Sequence, residues 1–180
     1  PLHNLPEVAR AIRVLCSTAG LGLSPKRITV STSGLVPEID ELGSLNPRPL
    51  LALSLNATTD EVRSELMPIG RRYDLAALRA ALERFPLRPR ERITVEYVLL
   101  QGVNDSPEDA ERLAEFCRSF PHNINLIPFN EHALAPFRQP AEERVDAFAR
   151  ALLAQGRTLV TVRRSRGRDV QAACGQLVQS

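Results

Sequence analysis

The residue of this sequence whose setting best suits chemistry is Cys174, which stands among Ala and Gly residues near the end of the chain. Nothing bulky flanks it to shield its sulfur. Guanidinium groups precede it at Arg163, Arg164, Arg166 and Arg168, and nearby cations lower the pKa of a thiol. This pattern predicts an exposed nucleophilic thiol. A small residue in a terminal tail is the alternative that these residues alone leave open.

The other two cysteines, Cys16 and Cys117, fall on apolar faces of predicted helices and are expected in the core. Three cysteines without metal-ligand spacing argue against a disulfide framework and favour a reducing compartment, so we expect a cytoplasmic protein. His3, His122 and His132 have no partner at ligand spacing and are expected to be structural or exposed. The sequence therefore predicts no metal ligands in this chain.

The sequence lacks the motifs that usually indicate nicotinamide enzymes, nucleoside triphosphatases and zinc proteases. The chain has no Gly-rich dinucleotide fingerprint, no phosphate-binding P-loop and no zinc-protease motif. No stretch approaches the roughly 20 apolar residues of a membrane span, and a length of 180 residues predicts one domain. A net charge of +2 permits a nucleic-acid partner without indicating one.

Short apolar strands alternate with amphipathic helices along the chain, which predicts an α/β fold of parallel βα units. The strands are predicted at 28–31, 50–54, 93–100, 124–128 and 159–162. The first helix is expected at 6–19, a short one at 37–42, and a third begins at a Thr58 cap with Val62 and Leu66 on one face. Later helices are expected after Asp74, after Ser106 and from Pro140.

Ligands in such folds collect at the carboxyl ends of the strands. The residues there are 31–34, 54–56, 101–105 and 129–130, and they are small, hydroxyl-bearing or amide-bearing rather than paired acids and bases. Hydroxyls and amides without acids suit a ligand that brings its own reactivity, such as a nucleoside cofactor held by hydrogen bonds.

Five segments occur in one order along the chain: ITVSTSG from residue 28, LSLNA from 53, VEYVL from 95, NLIPFN from 125 and ACGQL from 173. Together they closely resemble the radical S-adenosylmethionine methyltransferases that methylate C2 of an adenine in large-subunit ribosomal RNA and in some transfer RNAs. The resemblance covers essentially the whole chain.

The resemblance implies a partial (βα)6 barrel that binds S-adenosylmethionine and a 4Fe-4S cluster at the carboxyl ends of its strands. By motif position, the residues expected to contact S-adenosylmethionine are Ser31, Ser54, Leu55, Asn56 and Asn130. Many members of the family carry His where this chain has Asn56, and an amide can donate and accept hydrogen bonds as neutral His does.

The resemblance also implies that Cys174 carries a methyl group during catalysis. One S-adenosylmethionine would methylate its sulfur, and a second would be reductively cleaved to a radical that takes a hydrogen from the S-methyl group. The methyl carbon would then add to adenine, and a second cysteine would resolve the protein–RNA adduct through a disulfide. The implied partners are ribosomal RNA, transfer RNA and an electron donor, with no membrane and a monomeric intact protein.

The chain departs from the family at its beginning. Members carry a Cys-x-x-x-Cys-x-x-Cys cluster loop, a Gly-Glu-Pro motif and an N-terminal RNA-binding domain, and Pro1 matches the last residue of that motif. We therefore expect residues 1–180 to be the C-terminal portion of the catalytic domain, truncated at its N-terminal side. The first two strands and the cluster ligands would then lie outside this chain.

Three alternatives remain open at this point. A sister family methylates C8 of the same kind of adenine through the same cysteine chemistry. A catalytically inactive barrel remnant could bind RNA. An ordinary phosphate-binding βα-barrel enzyme is disfavoured, because the predicted strand ends lack acids and a Gly-rich phosphate loop.

Overall fold

A computed structural model describes residues 1–132, 135–156 and 158–163. Within them the chain forms six α-helices and five β-strands, together with three short 3-10 helices at Leu2–Asn4, Pro25–Arg27 and Pro68–Arg71. The elements in chain order are α1 Leu5–Cys16, β1 Thr29–Thr32, α2 Val36–Gly43, β2 Leu50–Ser54, α3 Asp60–Leu66, α4 Leu75–Arg84, β3 Ile93–Leu99, α5 Pro107–Cys117, β4 His122–Pro128, α6 Glu142–Ala154 and β5 Leu159–Val162.

The five strands form one parallel sheet in the order β1-β2-β3-β4-β5, so each strand pairs with the next one along the chain. Crossovers between neighbouring parallel strands are right-handed. Because every connection steps in the same direction, the helices between the strands lie on one face of the sheet. The predicted α/β architecture of parallel βα units is confirmed.

The two faces of the sheet differ in chemistry. Residues that point toward the helices are buried and almost all apolar, as the alternating burial of β3 and β4 shows. We call the opposite side the open face. It carries mostly hydroxyl, amide and carboxylate side chains on the five strands: Thr29, Ser31, Ser54, Thr94, Glu96, Asn123, Asn125 and Thr161.

Local sequence signals explain most of the helix ends. Ser106 and Asp109 form a reciprocal capping box at the start of α5, with Pro107 in the first turn. The Asp74 side chain caps α4 by accepting from the Ala77 N–H. Each of these caps was predicted from the sequence.

The predicted start of α3 is wrong, and its one buried residue was not predicted. The cap of α3 is Thr59 rather than Thr58, because the Thr58 hydroxyl instead donates to Asp109 at 2.6 Å. The buried residue of α3 is Arg63, with Val62 and Leu66 only half-buried.

Other differences are shifts at element ends. Helix α1 ends at Cys16 rather than residue 19, and Cys16 is half-buried at the edge of the core, whereas Cys117 is fully buried as expected. Helix α6 begins at Glu142 rather than Pro140, and β4 begins two residues earlier than predicted. In the described part of the chain no helix is long and apolar enough to cross a membrane.

Candidate cofactor site

The carboxyl end of β1 places hydroxyl groups at the rim of a recess. Ser31 lies on the open face, and Ser31 and Ser54 both line a cavity of about 180 Å³ together with Thr32 and Ser33. The Thr32 hydroxyl accepts a hydrogen bond from the Gly34 N–H at 3.0 Å, which turns the chain sharply after the strand. Two of the predicted cofactor contacts, Ser31 and Ser54, therefore share one recess.

A buried guanidinium holds this turn in place. Arg63 is fully buried, and its two terminal nitrogens donate to the carbonyl oxygens of Ser33 at 2.6 Å and Tyr73 at 3.1 Å. Burial lowers the pKa of the Arg63 guanidinium, and the charge of Asp60 partly offsets that shift. A Cβ at Gly34, where φ is +106°, would lie 2.9 Å from Arg63, so glycine is required at this position. Arg63 was missed because a charged residue on a helix normally indicates a solvated face.

The segment after β2 is fixed by backbone and side-chain hydrogen bonds. Leu55 is fully buried, backbone included, and its N–H donates to the Glu96 carbonyl at 3.0 Å, so the structure does not present this predicted contact to a cofactor. Asn56 has a left-handed backbone with φ of 58°, a conformation that Asn and His tolerate better than most residues. Its Oδ1 accepts from the Val98 N–H at 3.0 Å, and its Nδ2 lies 3.6 Å from the Met67 sulfur. The Asn56 amide thus already binds the end of β3.

Asn104 is the buried residue that joins the β2 and β3 ends. It is fully buried, and its Nδ2 donates to the carbonyl oxygens of Asn56 at 2.8 Å and Val98 at 2.7 Å. Its Oδ1 accepts from the Leu100 N–H at 2.7 Å, and its own carbonyl accepts from the Tyr97 hydroxyl at 3.0 Å. The sequence analysis placed 101–105 at the ligand end of the sheet but gave Asn104 no role.

Asn130 follows β4 at the same end of the sheet. It is half-buried, next to Phe129, whose N–H donates to the Leu99 carbonyl at 3.1 Å. Phe129 stacks edge-on against Phe137 at 6.1 Å between ring centroids. The ends of β1, β2 and β4 therefore bring Ser31, Ser54, Leu55, Asn56 and Asn130 to one edge of the sheet.

Hydroxyls and amides at this edge fit a nucleoside cofactor held by hydrogen bonds. Ser31 is exposed there, and Ser54 and Asn130 are half-buried. The described cysteines do not fit an iron–sulfur cluster, which needs thiolate ligands from neighbouring positions. Cys16 and Cys117 lie on different helices, and burial raises the pKa of the Cys117 thiol to about 12. Cys174 lies outside the described residues, as do Arg164, Arg166 and Arg168.

No family model matches the chain. Similarity to individual proteins is extensive. The chain is 53% identical over 177 residues to the dual-specificity RNA methyltransferase RlmN of Geobacter sulfurreducens and 50% identical over 178 residues to that of Syntrophotalea carbinolica. Each match covers 98% of this chain, and 49% and 47% of the respective relative. The chain is homologous to these dual-specificity RNA methyltransferases. It spans about half the length of these curated relatives.

Solved structures agree with this relationship. A radical SAM methyltransferase from Sphaerobacter thermophilus matches with a TM-score of 0.91 and 45% identity, over 98% of this chain and 51% of that one. A domain of the pyruvate-formate lyase-activating enzyme from Bacteroides vulgatus matches with a TM-score of 0.68 at 21% identity, over 91% of this chain and 93% of that one, which shows the shared fold alone. The predicted partial radical-SAM barrel is confirmed.

Proposed function

We propose that this chain forms the C-terminal part of the catalytic domain of a radical S-adenosylmethionine enzyme that methylates C2 of adenine in large-subunit ribosomal RNA and transfer RNA. The observation that carries the proposal is the identity of about half of all residues, over nearly the whole chain, to dual-specificity RNA methyltransferases. Hydroxyl and amide groups at the carboxyl ends of the strands support it, since they suit the cofactor that this function requires.

In this function Ser31, Ser54 and Asn130 would hold S-adenosylmethionine by hydrogen bonds, and Leu55, which is fully buried, would fix the backbone beside Ser54. Asn56 would act chiefly by shaping the β2 end, because its side-chain oxygen already accepts from Val98. A 4Fe-4S cluster, held by residues outside those described, would supply the electron that cleaves S-adenosylmethionine. A cytoplasmic location, an electron donor and RNA substrates complete the proposal.

Cys174 would accept the methyl group. Its thiolate attacks the sulfonium methyl, so that an S–CH3 bond forms at Cys174, the bond to the sulfonium breaks, and S-adenosylhomocysteine leaves. The same carbon would then pass to adenine: a hydrogen atom would leave the S-methyl group to the radical derived from a second S-adenosylmethionine, and the carbon would bond to C2 as the C2 proton and one electron leave. The carbon–sulfur bond would break as a second cysteine forms a disulfide with Cys174, and the released carbon would take up a proton. The arginines before Cys174 would favour its thiolate.

The test uses methyl-labelled S-adenosylmethionine and the full gene product that carries this chain, with mass spectrometry of both protein and RNA. We expect label on the peptide containing Cys174 and on C2 of adenine, and no RNA label after Cys174→Ala. Cys16→Ala is the matched control and should retain methylation, because Cys16 lies half-buried at the end of α1, away from the strand ends. Full methylation by Cys174→Ala would contradict the mechanism, and label on C8 would assign the sister reaction instead.

A further inference from the structure

A row of polar side chains crosses the open face at the level of Ser54. Ser54, Glu96, Asn125 and Thr161 are successive register partners on β2, β3, β4 and β5. They share the open face because the alternate residues of these strands are the ones buried against the helices. The row therefore connects Ser54, a candidate cofactor contact, to three residues to which the sequence analysis assigned no role.

Contacts within the row leave a hydrogen-bond acceptor next to a hydrogen-bond donor. The Thr161 hydroxyl donates to Asn125 Oδ1 at 3.0 Å, so the NH2 group of that amide is left as a donor. The Glu96 carboxylate on the neighbouring strand offers only acceptors, and its contact with the Ser54 hydroxyl is long at 3.5 Å. Both Glu96 and Asn125 are half-buried, which strengthens a hydrogen bond relative to bulk water.

A second observation comes from the residue two positions before Asn125 on the same face. The Oδ1 atom of Asn123 is buried and has no hydrogen-bond partner among the described residues. Buried polar atoms in proteins are nearly always paired, so one that is not calls for an explanation such as a bound ligand. The open face therefore carries more hydrogen-bonding capacity than the protein itself uses.

We propose that Glu96 and Asn125 bind the amino edge of an adenine ring. Adenine presents its exocyclic amine as a donor beside a ring nitrogen that is an acceptor. The Glu96 carboxylate would accept from the amine, and the Asn125 NH2 would donate to the ring nitrogen. Cytosine shares this pattern; the inference rests on the proposed function, which selects adenine because both cofactor and target carry that base.

The adenine could belong to S-adenosylmethionine or to the RNA. Ser54 lies in the row and also lines the recess of the candidate cofactor site, so the two sources share one chemistry at one place. Two comparisons distinguish the two sources. One compares S-adenosylhomocysteine with S-inosylhomocysteine. The other compares a short single-stranded RNA containing one adenosine with the same RNA containing one inosine. Inosine exchanges the donor and the acceptor on this edge, because a carbonyl replaces the amine and the adjacent ring nitrogen becomes a donor.

The experiment measures binding of both ligand pairs to the full gene product that carries this chain, by calorimetry. We expect the wild type to prefer the adenosine member of at least one pair by about tenfold or more. Glu96→Gln should bring that preference close to unity, because its amide can donate to the inosine carbonyl. Glu143→Gln, which removes an exposed carboxylate at the start of α6, is the matched control and should keep the wild-type ratio.

The ligand pair whose adenosine-to-inosine affinity ratio changes between the wild type and Glu96→Gln identifies the source of the adenine. A Glu96→Gln variant that binds both members of each pair with wild-type affinities would overturn the proposal, as would a wild type that does not distinguish adenosine from inosine or binds neither. Methyl transfer to RNA tests the proposed function separately. A protein that methylates RNA and shows no Glu96-dependent preference would refute this inference alone.

Discussion

Asn104 has no side-chain contact with solvent and yet bears on the candidate site. Its amide group makes hydrogen bonds to the ends of two strands. By donating to the Asn56 carbonyl, it supports the left-handed backbone at Asn56. The Asn104 amide pairs with the Leu100 N–H and with the carbonyl groups of Asn56 and Val98. Removing this amide leaves all three backbone groups without that partner. Its role is to position the β2 end, where Ser54 lines the recess.

Asn104→Ala should therefore lower the free energy of unfolding by about 2 to 4 kcal/mol, and should weaken S-adenosylmethionine binding at temperatures where the variant remains folded. Asn4→Ala is the control, because Asn4 is exposed and its side chain makes no capping hydrogen bond. Urea unfolding and calorimetric titration with S-adenosylhomocysteine measure the two effects. Unchanged stability of Asn104→Ala would contradict the hydrogen-bonding role assigned to this residue.

At the scale of elements, an ion pair joins the segments that lead into β2 and β3. Arg48 donates to both carboxylate oxygens of Glu91, at 3.1 and 2.7 Å, and both side chains are over nine-tenths buried. Burial alone would raise the pKa of Glu91, but hydrogen bonds from Arg48 and from the Arg88 N–H, with the charges of both arginines, lower it below its ordinary value of 4.5. Because the pKa of Glu91 in the folded protein lies below 4.5, the pair stabilises the fold fully above pH 4.5. This stabilisation is lost as the pH falls through the folded-state pKa.

Glu91→Gln should lower the free energy of unfolding at pH 7 by about 3 kcal/mol, since it leaves a buried guanidinium without its counter-charge. It should also flatten the loss of stability below pH 4.5, because the variant has no carboxylate to protonate at this position. Glu83→Gln, which breaks an exposed pair with Arg79, should cost less than about 1 kcal/mol. Denaturant unfolding measured from pH 7 down to pH 3 compares the three proteins, and parallel pH profiles for wild type and Glu91→Gln would refute the argument.

The order of strands and helices could be predicted because it depends on local signals. Alternating apolar residues indicate β3, and Asp74 and Ser106 indicate helix starts through side-chain hydrogen bonds within a few residues. The cap of α3 could not be predicted, because Thr58 binds Asp109, 51 residues away along the chain. Long-range pairing of this kind is invisible in a local pattern.

The candidate site could also be predicted only in part. The resemblance to a family places Ser31 and Ser54 at the strand ends, and the structure puts them on one recess. It gave no sign that the Asn56 amide is bound to β3, that Arg63 is buried beneath the β1 turn, or that Glu96 lies beside Asn125. Register and burial decide these features, and both depend on the whole sheet.

For the whole molecule, the distribution of polarity over the sheet determines how it can associate. Parallel sheets are usually covered on both faces, but the open face here is rich in hydroxyl, amide and carboxylate groups, whose burial against another surface requires matched hydrogen bonds. Strand β1 presents a different hazard, because it ends the sheet and pairs only with β2 among the described strands. An unpaired edge is a template for strand addition.

We therefore expect the 180-residue chain to self-associate through β1 rather than through its open face. Sedimentation velocity should show a weight-average mass that rises with concentration. Thr29→Lys should shift the chain toward monomer, because Thr29 is exposed on β1 and a lysine there repels an approaching edge strand. Thr29→Val, which keeps a β-branched side chain without adding charge, is the control and should associate at least as strongly as the wild type. A wild type that stays monomeric at every concentration, or a Thr29→Lys variant that associates like Thr29→Val, would show that the β1 edge does not direct association.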